Sequence, residues 1–110
     1  MDLSGKVAVV TGGSRDIGKE VSKKLAALGA KVVINYHSNK QNAEYTLNEI
    51  LLAGGTAIIV KGDMTKKEDV DNLINTAIDK YGSTIDILVN NVGGLVARKS
   101  LAEMDEAFFN

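Results

Sequence analysis

Residues 7 to 18 read Val-Ala-Val-Val-Thr-Gly-Gly-Ser-Arg-Asp-Ile-Gly, an apolar run that enters a glycine-rich turn and continues into a helical pattern. Glycine adopts backbone dihedral angles that other residues avoid, so the chain can turn sharply at Gly12 and Gly13. The free N–H groups that open the following helix attract an anion. This stretch therefore predicts a strand, a phosphate-binding turn and a helix, in that order.

Asp16 is the unusual residue of this turn, because its carboxylate stands where a bound phosphate would be expected. Two unit charges ~4 Å apart repel by roughly 1 to 4 kcal/mol between the dielectric of bulk water and the effective dielectric of a protein. Aspartate is also a preferred helix N-cap, whose side chain bonds the N–H groups of the first turn. Asp16 either weakens anion binding or caps the helix with its carboxylate turned away, and we expect the cap.

The same turn fits part of a second motif, since residues 13 to 19 match the Gly-x-x-x-x-Gly-Lys that begins a P-loop. A P-loop continues with Ser or Thr, whose hydroxyl holds magnesium. Glu20 occupies that position and supplies no hydroxyl, which argues against a P-loop. A tight turn without any ligand is the structural alternative.

Composition limits the chain to one small globular domain, since it has 110 residues, of which 45% are hydrophobic and 25% charged. The formal net charge of −1 provides no overall basic field for nucleic acid or an anionic membrane. The chain has no cysteine, which excludes disulfide bonds and thiolate metal sites and fits a reducing compartment. No signal-peptide pattern or apolar run of ~20 residues is found, so a soluble protein is expected, and together with the lack of cysteine a cytoplasmic one.

Apolar runs alternate with helical patterns along the chain, which is typical of successive βαβ units and a parallel sheet. The predicted strands span residues 7–10, 31–35, 57–60 and 85–89. Two predicted helices span residues 16–28 and 41–53, and a third ends at Tyr81 after Thr65 and Glu68 form a capping box. A fourth helix is expected near Asp105. Right-handed crossovers then place a ligand beyond the carboxyl ends of the strands.

Two segments of the chain carry recognisable motifs. Residues 11 to 18 read Thr-Gly-Gly-Ser-Arg-Asp-Ile-Gly, and Asn90-Asn91-Val92-Gly93 follow the fourth predicted strand. The first segment resembles the Thr-Gly-x-x-x-Gly-x-Gly turn of the short-chain dehydrogenase/reductase family, with Asp16 in place of the middle glycine. The second resembles that family's Asn-Asn-Ala-Gly motif, with valine in place of alanine. The resemblance extends over essentially all 110 residues.

The resemblance implies an α/β fold, the N-terminal half of a Rossmann-like doubly wound parallel sheet with strand order 3-2-1-4. Residues 1–110 are then one nucleotide-binding domain that ends before the catalytic half.

The end of the second predicted strand indicates which cofactor is bound. An acidic residue normally bonds the adenosine ribose of NAD there, but the chain instead has Asn35-Tyr36-His37-Ser38, followed by Lys40. Arg15 adds a cation in the first turn. These groups suit a 2′-phosphate, so NADP(H) is favoured and NAD(H) remains possible. His37, the only histidine, is alternatively an exposed loop residue, and Lys40 a solvated charge at a helix start.

The resemblance also implies a set of cofactor-binding residues along the predicted strand ends. These residues are Gly12, Ser14, Arg15, Ile17, Gly18, Tyr36, His37, Ser38, Asp63, Met64, Asn90, Asn91 and Gly93. Within this set, the resemblance places the adenine beside Asp63 and Met64. Without the resemblance, Asp63 is a turn or cap residue, and the two asparagines tie the strand end to neighbouring backbone. No metal site is expected.

Catalysis in the family is hydride transfer between nicotinamide and a carbonyl or alcohol, assisted by a Tyr-x-x-x-Lys pair, an upstream Ser and an Asn. Tyr36 and Lys40 have that spacing, but they follow the second strand on the adenosine side, so we assign no catalytic residue.

The resemblance is nearest to 3-oxoacyl-(acyl carrier protein) reductases and sugar dehydrogenases. It implies an NADP(H)-dependent oxidoreductase that acts on a small carbonyl, alcohol or acyl thioester and forms a homo-oligomer. The 110-residue chain alone is expected to be inactive. The alternative is a non-catalytic nucleotide-binding or self-associating fragment.

Overall fold

A computed structural model describes residues 2–12, 16–82 and 84–91. Along the chain, those ranges form β1 Val7–Thr11, α1 Asp16–Ala27, β2 Lys31–Tyr36, α2 Lys40–Leu52, β3 Thr56–Lys61, α3 Lys67–Tyr81 and β4 Ile87–Asn90. Each element predicted within them is present, with ends shifted by only one or two residues for the strands and the first two helices. The helix predicted near Asp105 lies outside the described residues.

The four strands form one parallel sheet in the order β3-β2-β1-β4, which confirms the predicted topology. Thr11 at the end of β1 lies opposite Asn90 at the end of β4. Tyr36 at the end of β2 lies opposite Lys61 at the end of β3. All four carboxyl ends therefore meet along one edge of the sheet, and the segments that follow them are brought together there.

Helices cover both faces of the sheet, which explains why the strands are apolar at consecutive positions rather than at alternate ones. Val9 and Val33 point to the face that α3 covers, where they pack with Val70 and Leu73. Their neighbours Ala8, Val10, Val32 and Ile34 point to the opposite face and pack with Ala26 of α1 and Ile50 of α2. The chain is thus a doubly wound sheet with two separate hydrophobic clusters. Within the described ranges, no helix is long and apolar enough to cross a membrane.

The start of α3 differs from the prediction, because the capping box of Thr65 and Glu68 is not formed. The hydroxyl and the backbone N–H of Thr65 both donate to Asp63 Oδ1, at 2.7 and 2.9 Å. The N-cap of α3 is Lys66, which makes no side-chain capping bond. The prediction was wrong because Asp63 captures the threonine hydroxyl in a local turn, and the helix begins after that turn.

Candidate nucleotide-binding site

The glycine turn begins where β1 ends. Gly12 has a φ of +62°, in the left-handed region that glycine adopts without a steric cost. Its N–H donates to the side chain of Asn35 at 3.2 Å, so this donor is already used within the protein. Any anion in the turn must therefore find its donors in other N–H groups. At the start of α1, Gly18 is buried, whereas Ile17 is 72% exposed. Ser14 and Arg15 lie outside the described residues.

Asp16 does not act as the expected N-cap. It is the first residue of α1 and has a φ of +46°, whereas N-cap residues have extended dihedral angles. Among the described residues, no first-turn N–H donates to its carboxylate. A non-glycine residue in the left-handed region is strained, although aspartate tolerates it better than most. Glycine would adopt this positive φ without strain, so it suits the position better than aspartate. The Asp16 carboxylate is exposed at the start of α1.

The hydroxyl of Thr11 joins the glycine turn to the Asn90-Asn91 motif. Thr11 is fully buried. Its hydroxyl proton has two alternative acceptors, Asn90 Oδ1 at 3.0 Å from Oγ1 and the carbonyl oxygen of Val89 at 3.3 Å. Thr11 Oγ1 also accepts the backbone N–H of Asn91 at 3.1 Å. The Asn90 side chain and the Asn91 backbone therefore tie the end of β4 to the Thr11 side chain, whereas the structural alternative had expected bonds to neighbouring backbone. Gly93 lies outside the described residues.

Asn35 connects the ends of three strands, a role that the sequence did not reveal. The side chain is 1% exposed, its Oδ1 accepts the Gly12 N–H, and its Nδ2 donates to the Gly62 carbonyl oxygen at 3.1 Å. Buried amides of this kind are retained when their hydrogen bonds are satisfied. The sequence offered one sign that Asn35 has a structural role, since it is a polar residue that directly follows the apolar run Val32–Ile34. The partners 23 and 27 residues away could not be read from it.

The ends of β2 and β3 enclose a depression of about 470 Å³. The residues that line it are His37, Ser38, Lys61, Gly62, Asp63, Lys66 and Asp69. His37 and Ser38 are exposed, whereas the side chain of Tyr36 is 8% exposed and belongs to the core. Met64 is also buried, in the cluster beneath α3. A nucleotide at this edge can therefore reach His37, Ser38 and Asp63 through their side chains, but not those of Tyr36 or Met64.

Asp63 carries a negative charge at neutral pH. Its pKa is lowered first by the hydrogen bond from the Thr65 hydroxyl and then by the bond from the Thr65 N–H, while partial desolvation opposes both. The nearby His37 and Lys66 charges lower this pKa further. Since Oδ1 accepts both Thr65 bonds, Oδ2 is left to face His37, whose Nε2 is 3.7 Å away. The two side chains form an ion pair when the imidazole is protonated.

Tyr36 and Lys40 are not placed as a catalytic pair. The tyrosine ring is buried at the end of β2, and Lys40 begins α2 beside it. β1 separates β2 from β4, where the second motif lies. Within the described parts of the chain, no group of three or more His, Asp and Glu side chains is arranged to hold a metal ion.

Known proteins resemble the chain in both sequence and fold. The family model described as short chain dehydrogenase matches residues 6–110. Glucose 1-dehydrogenase 2 of Bacillus subtilis is 42% identical over 92 residues, which are 84% of this chain and 35% of that protein. A 3-oxoacyl-[acyl-carrier-protein] reductase of Synechocystis is 47% identical over 91 residues, 83% of this chain and 36% of that protein. The chain thus spans about a third of the length of these relatives.

Solved structures of dehydrogenases and reductases are also similar to this chain in fold and in sequence. A dehydrogenase/reductase from Sinorhizobium meliloti superposes with a TM-score of 0.81 at 39% identity, over 84% of this chain and 36% of that one. A metagenomic short-chain oxidoreductase in complex with NADP gives a TM-score of 0.77 at 37% identity, over 84% of this chain and 41% of that one. These similarities reach well beyond the two motifs and cover most of the described fold.

Proposed function

Because the chain belongs to the short-chain dehydrogenase family, we propose that it binds an adenine dinucleotide along the carboxyl ends of its four strands, as part of an NADP(H)-dependent oxidoreductase. The observation that carries the proposal is the position of the Thr11 hydroxyl. It holds the end of β4 against the end of β1, so the glycine turn and the Asn90-Asn91 segment share one edge of the sheet. Ligands of open α/β sheets bind in the crevice beyond such strand ends.

The first turn fits a pyrophosphate through the start of α1. Because the Gly12 N–H is bonded to Asn35, the donors proposed for phosphate oxygens are those of Ser14 and Arg15 and of Ile17 and Gly18 in the first turn of α1. The positive end of the helix dipole acts in the same direction. Ile17, in the first turn of α1, is exposed and offers the cofactor an apolar contact.

The proposed adenosine site is the depression between the ends of β2 and β3. Asp63 and the backbone of Met64 are assigned to the adenine, and Tyr36 contributes through its backbone only, since its ring is buried. No carboxylate follows β2 directly to bond a free 2′-hydroxyl, whereas His37 and Ser38 do follow it. These side chains, with Arg15, support NADP(H) over NAD(H), and the NADP complex of one structural relative agrees with that choice.

The proposed reaction is hydride transfer between the bound nicotinamide and a carbonyl or alcohol carbon, which is the chemistry that this cofactor supplies. Asn90, Asn91 and Gly93 are assigned to the nicotinamide half, because they follow β4 on the far side of β1 from the adenosine site. The names of the two curated relatives support a sugar or a 3-oxoacyl thioester as substrate. In this proposal residues 1–110 act as one nucleotide-binding domain. These residues alone are inactive, because their Tyr36 and Lys40 lie at the adenosine side of the sheet and not at the nicotinamide side.

A self-associating nucleotide-binding module is the second candidate function. Within the described residues, β4 pairs with β1 alone, and Ile87, Leu88 and Val89 are only partly buried. An apolar edge strand of this kind favours pairing with another chain. Sedimentation equilibrium of the chain, with and without NADPH, tests this candidate, and NADPH oxidation by the isolated chain in the presence of ketones would contradict it.

Calorimetric titration of the chain with NADPH and NADH tests the proposed function. We expect NADPH to bind more tightly than NADH, and Lys66→Gln to weaken NADPH binding, because the Lys66 side chain lines the depression. Lys80→Gln is the matched control, since it removes the same charge from the last turn of α3. If neither dinucleotide binds, or if both lysine variants weaken NADPH equally, the proposed site is wrong.

A further inference from the structure

We propose that His37 and Asp63 together form a proton-controlled selector for the 2′-phosphate, so that preference for NADP(H) over NAD(H) falls as the pH rises through the range in which histidine loses its charge. This inference rests on the proposed function, because it concerns the adenosine end of that same site. It adds a regulatory role for the ion pair and makes Asp63 a competitor of the phosphate.

The net charge of the residues that line the depression depends on the protonation of His37. Lys61 at the end of β3 and Lys66 before α3 contribute two positive charges, and Asp63 and Asp69 contribute two negative charges. These four charges cancel, so the lining is neutral when the imidazole is neutral and has a charge of +1 when it is protonated. A phosphate dianion responds strongly to that difference, because charge-assisted hydrogen bonds exceed neutral ones in strength.

Asp63 is held in a fixed orientation that directs one oxygen at the histidine. Its Oδ1 accepts both bonds from Thr65, and its N–H donates to Asp69 Oδ2 at 2.8 Å. The remaining Oδ2 lies 3.7 Å from His37 Nε2. The histidine side chain is 72% exposed, and His37 is one of the residues that line the depression. A 2′-phosphate must therefore share the imidazolium with a carboxylate that is already in place.

Histidine is the side chain whose charge ordinarily changes between pH 5 and 8. A phosphate monoester has its second ionisation near pH ~6, so the ligand gains charge over the lower part of this range. As the pH rises, loss of the imidazolium charge lowers the affinity for the 2′-phosphate, whereas ionisation of the phosphate raises it. Removal of the imidazole separates them, because only the ionisation of the ligand remains in a chain that has no other histidine.

The test measures dissociation constants of NADPH and NADH at pH 6.5 and 8.5 for the 110-residue chain and four variants. In the unmodified chain, we expect NADPH affinity to fall by about three- to tenfold at the higher pH, the range expected for one exposed charge-assisted contact, with little change for NADH. His37→Gln should remove this fall, and His37→Arg should restore tight NADPH binding at both pH values. Lys80→Gln serves as the charge control at the far end of α3.

Asp63→Asn tests the competitor directly. Asparagine keeps an acceptor oxygen for Thr65 but loses the charge opposite His37, so we expect the ratio of NADH to NADPH dissociation constants to rise by about threefold. The ratio cancels any adenine contact that both cofactors share. NMR gives a second readout, since the ring signals of the sole histidine should move toward those of imidazolium when adenosine 2′-phosphate is added at pH 7, but not when adenosine 5′-phosphate is added.

The outcomes distinguish this inference from the proposed function. Failure of both dinucleotides to bind contradicts the proposed function and removes the basis of the selector. Binding of NADPH with the same pH dependence in the unmodified chain and in His37→Gln contradicts the selector alone. An unchanged cofactor ratio in Asp63→Asn contradicts the role of Asp63 as competitor.

Discussion

The Oδ1 atom of Asn35 lies 3.2 Å from the backbone nitrogen of Gly12 and accepts its hydrogen bond. This bond joins the end of β2 to the glycine turn after β1, and the amide nitrogen of the same side chain continues the connection to Gly62 after β3. One buried side chain thus fixes the relative positions of the proposed pyrophosphate turn and the proposed adenosine site.

Asn35→Leu should lower the free energy of unfolding by about 2 to 4 kcal/mol, because the change removes the partners of the partly buried Gly12 N–H and of the buried Gly62 carbonyl. Urea denaturation followed by circular dichroism measures the loss. Asn75→Leu makes the same substitution at an exposed position of α3 and should change stability by less than about 0.5 kcal/mol. Equal losses in the two variants would show that Asn35 does not connect the strand ends.

Thr11→Val should destabilise the protein by about 1 to 2 kcal/mol, since valine keeps the shape of the side chain but cannot accept the Asn91 N–H or donate to β4. Hydrogen exchange of the Asn91 amide should become faster. Thr11→Ser keeps the hydroxyl and is the control, in which the Asn91 amide should retain its protection. Fast exchange in the serine variant as well would argue against this bond.

Substitutions at Asp16 separate backbone strain from charge. Asp16→Gly relieves the positive φ and should raise the free energy of unfolding by up to about 1 kcal/mol, whereas Asp16→Asn keeps the strain and should leave it nearly unchanged. Both variants remove the carboxylate, so both should bind NADPH more tightly. Calorimetry and denaturation on the three chains provide the comparison. Unchanged affinity in both variants would eliminate the repulsion, and equal stability would eliminate the strain.

Asp63 should make stability depend on pH in the acid range. Its pKa is lowered in the folded protein, chiefly by the Thr65 hydroxyl, from an ordinary value of 3.8. A group with a depressed folded pKa stabilises the protein above its unfolded pKa, and that stabilisation is lost as the pH falls through the folded value. Between pH 6 and pH 2, the melting temperature of the unmodified chain should therefore fall more steeply than that of Asp63→Asn. Parallel curves for the two chains would contradict this assignment.

Most of the fold could be predicted because its signals are local. The apolar runs of β1 and β2 and the glycine that follows each helix are visible in short windows of sequence, and the two motifs implied the strand order. The start of α3 was missed because Thr65 bonds to Asp63 and not to the helix, a choice between two local partners. The left-handed backbone of Asp16 and the long-range bonds of Asn35 depend on tertiary structure, which short-range patterns do not contain.

Nitrogen-15 chemical-shift mapping of the chain during titration with NADPH tests the central claim most directly. A dinucleotide along the carboxyl ends of the strands should shift the amide signals of Ile17, Gly18, His37, Asp63 and Asn91. It should leave those of Lys6 and Thr84, at the opposite edge of the sheet, unchanged. Shifts confined to that opposite edge, or no shifts at saturating NADPH, would contradict the proposed binding site.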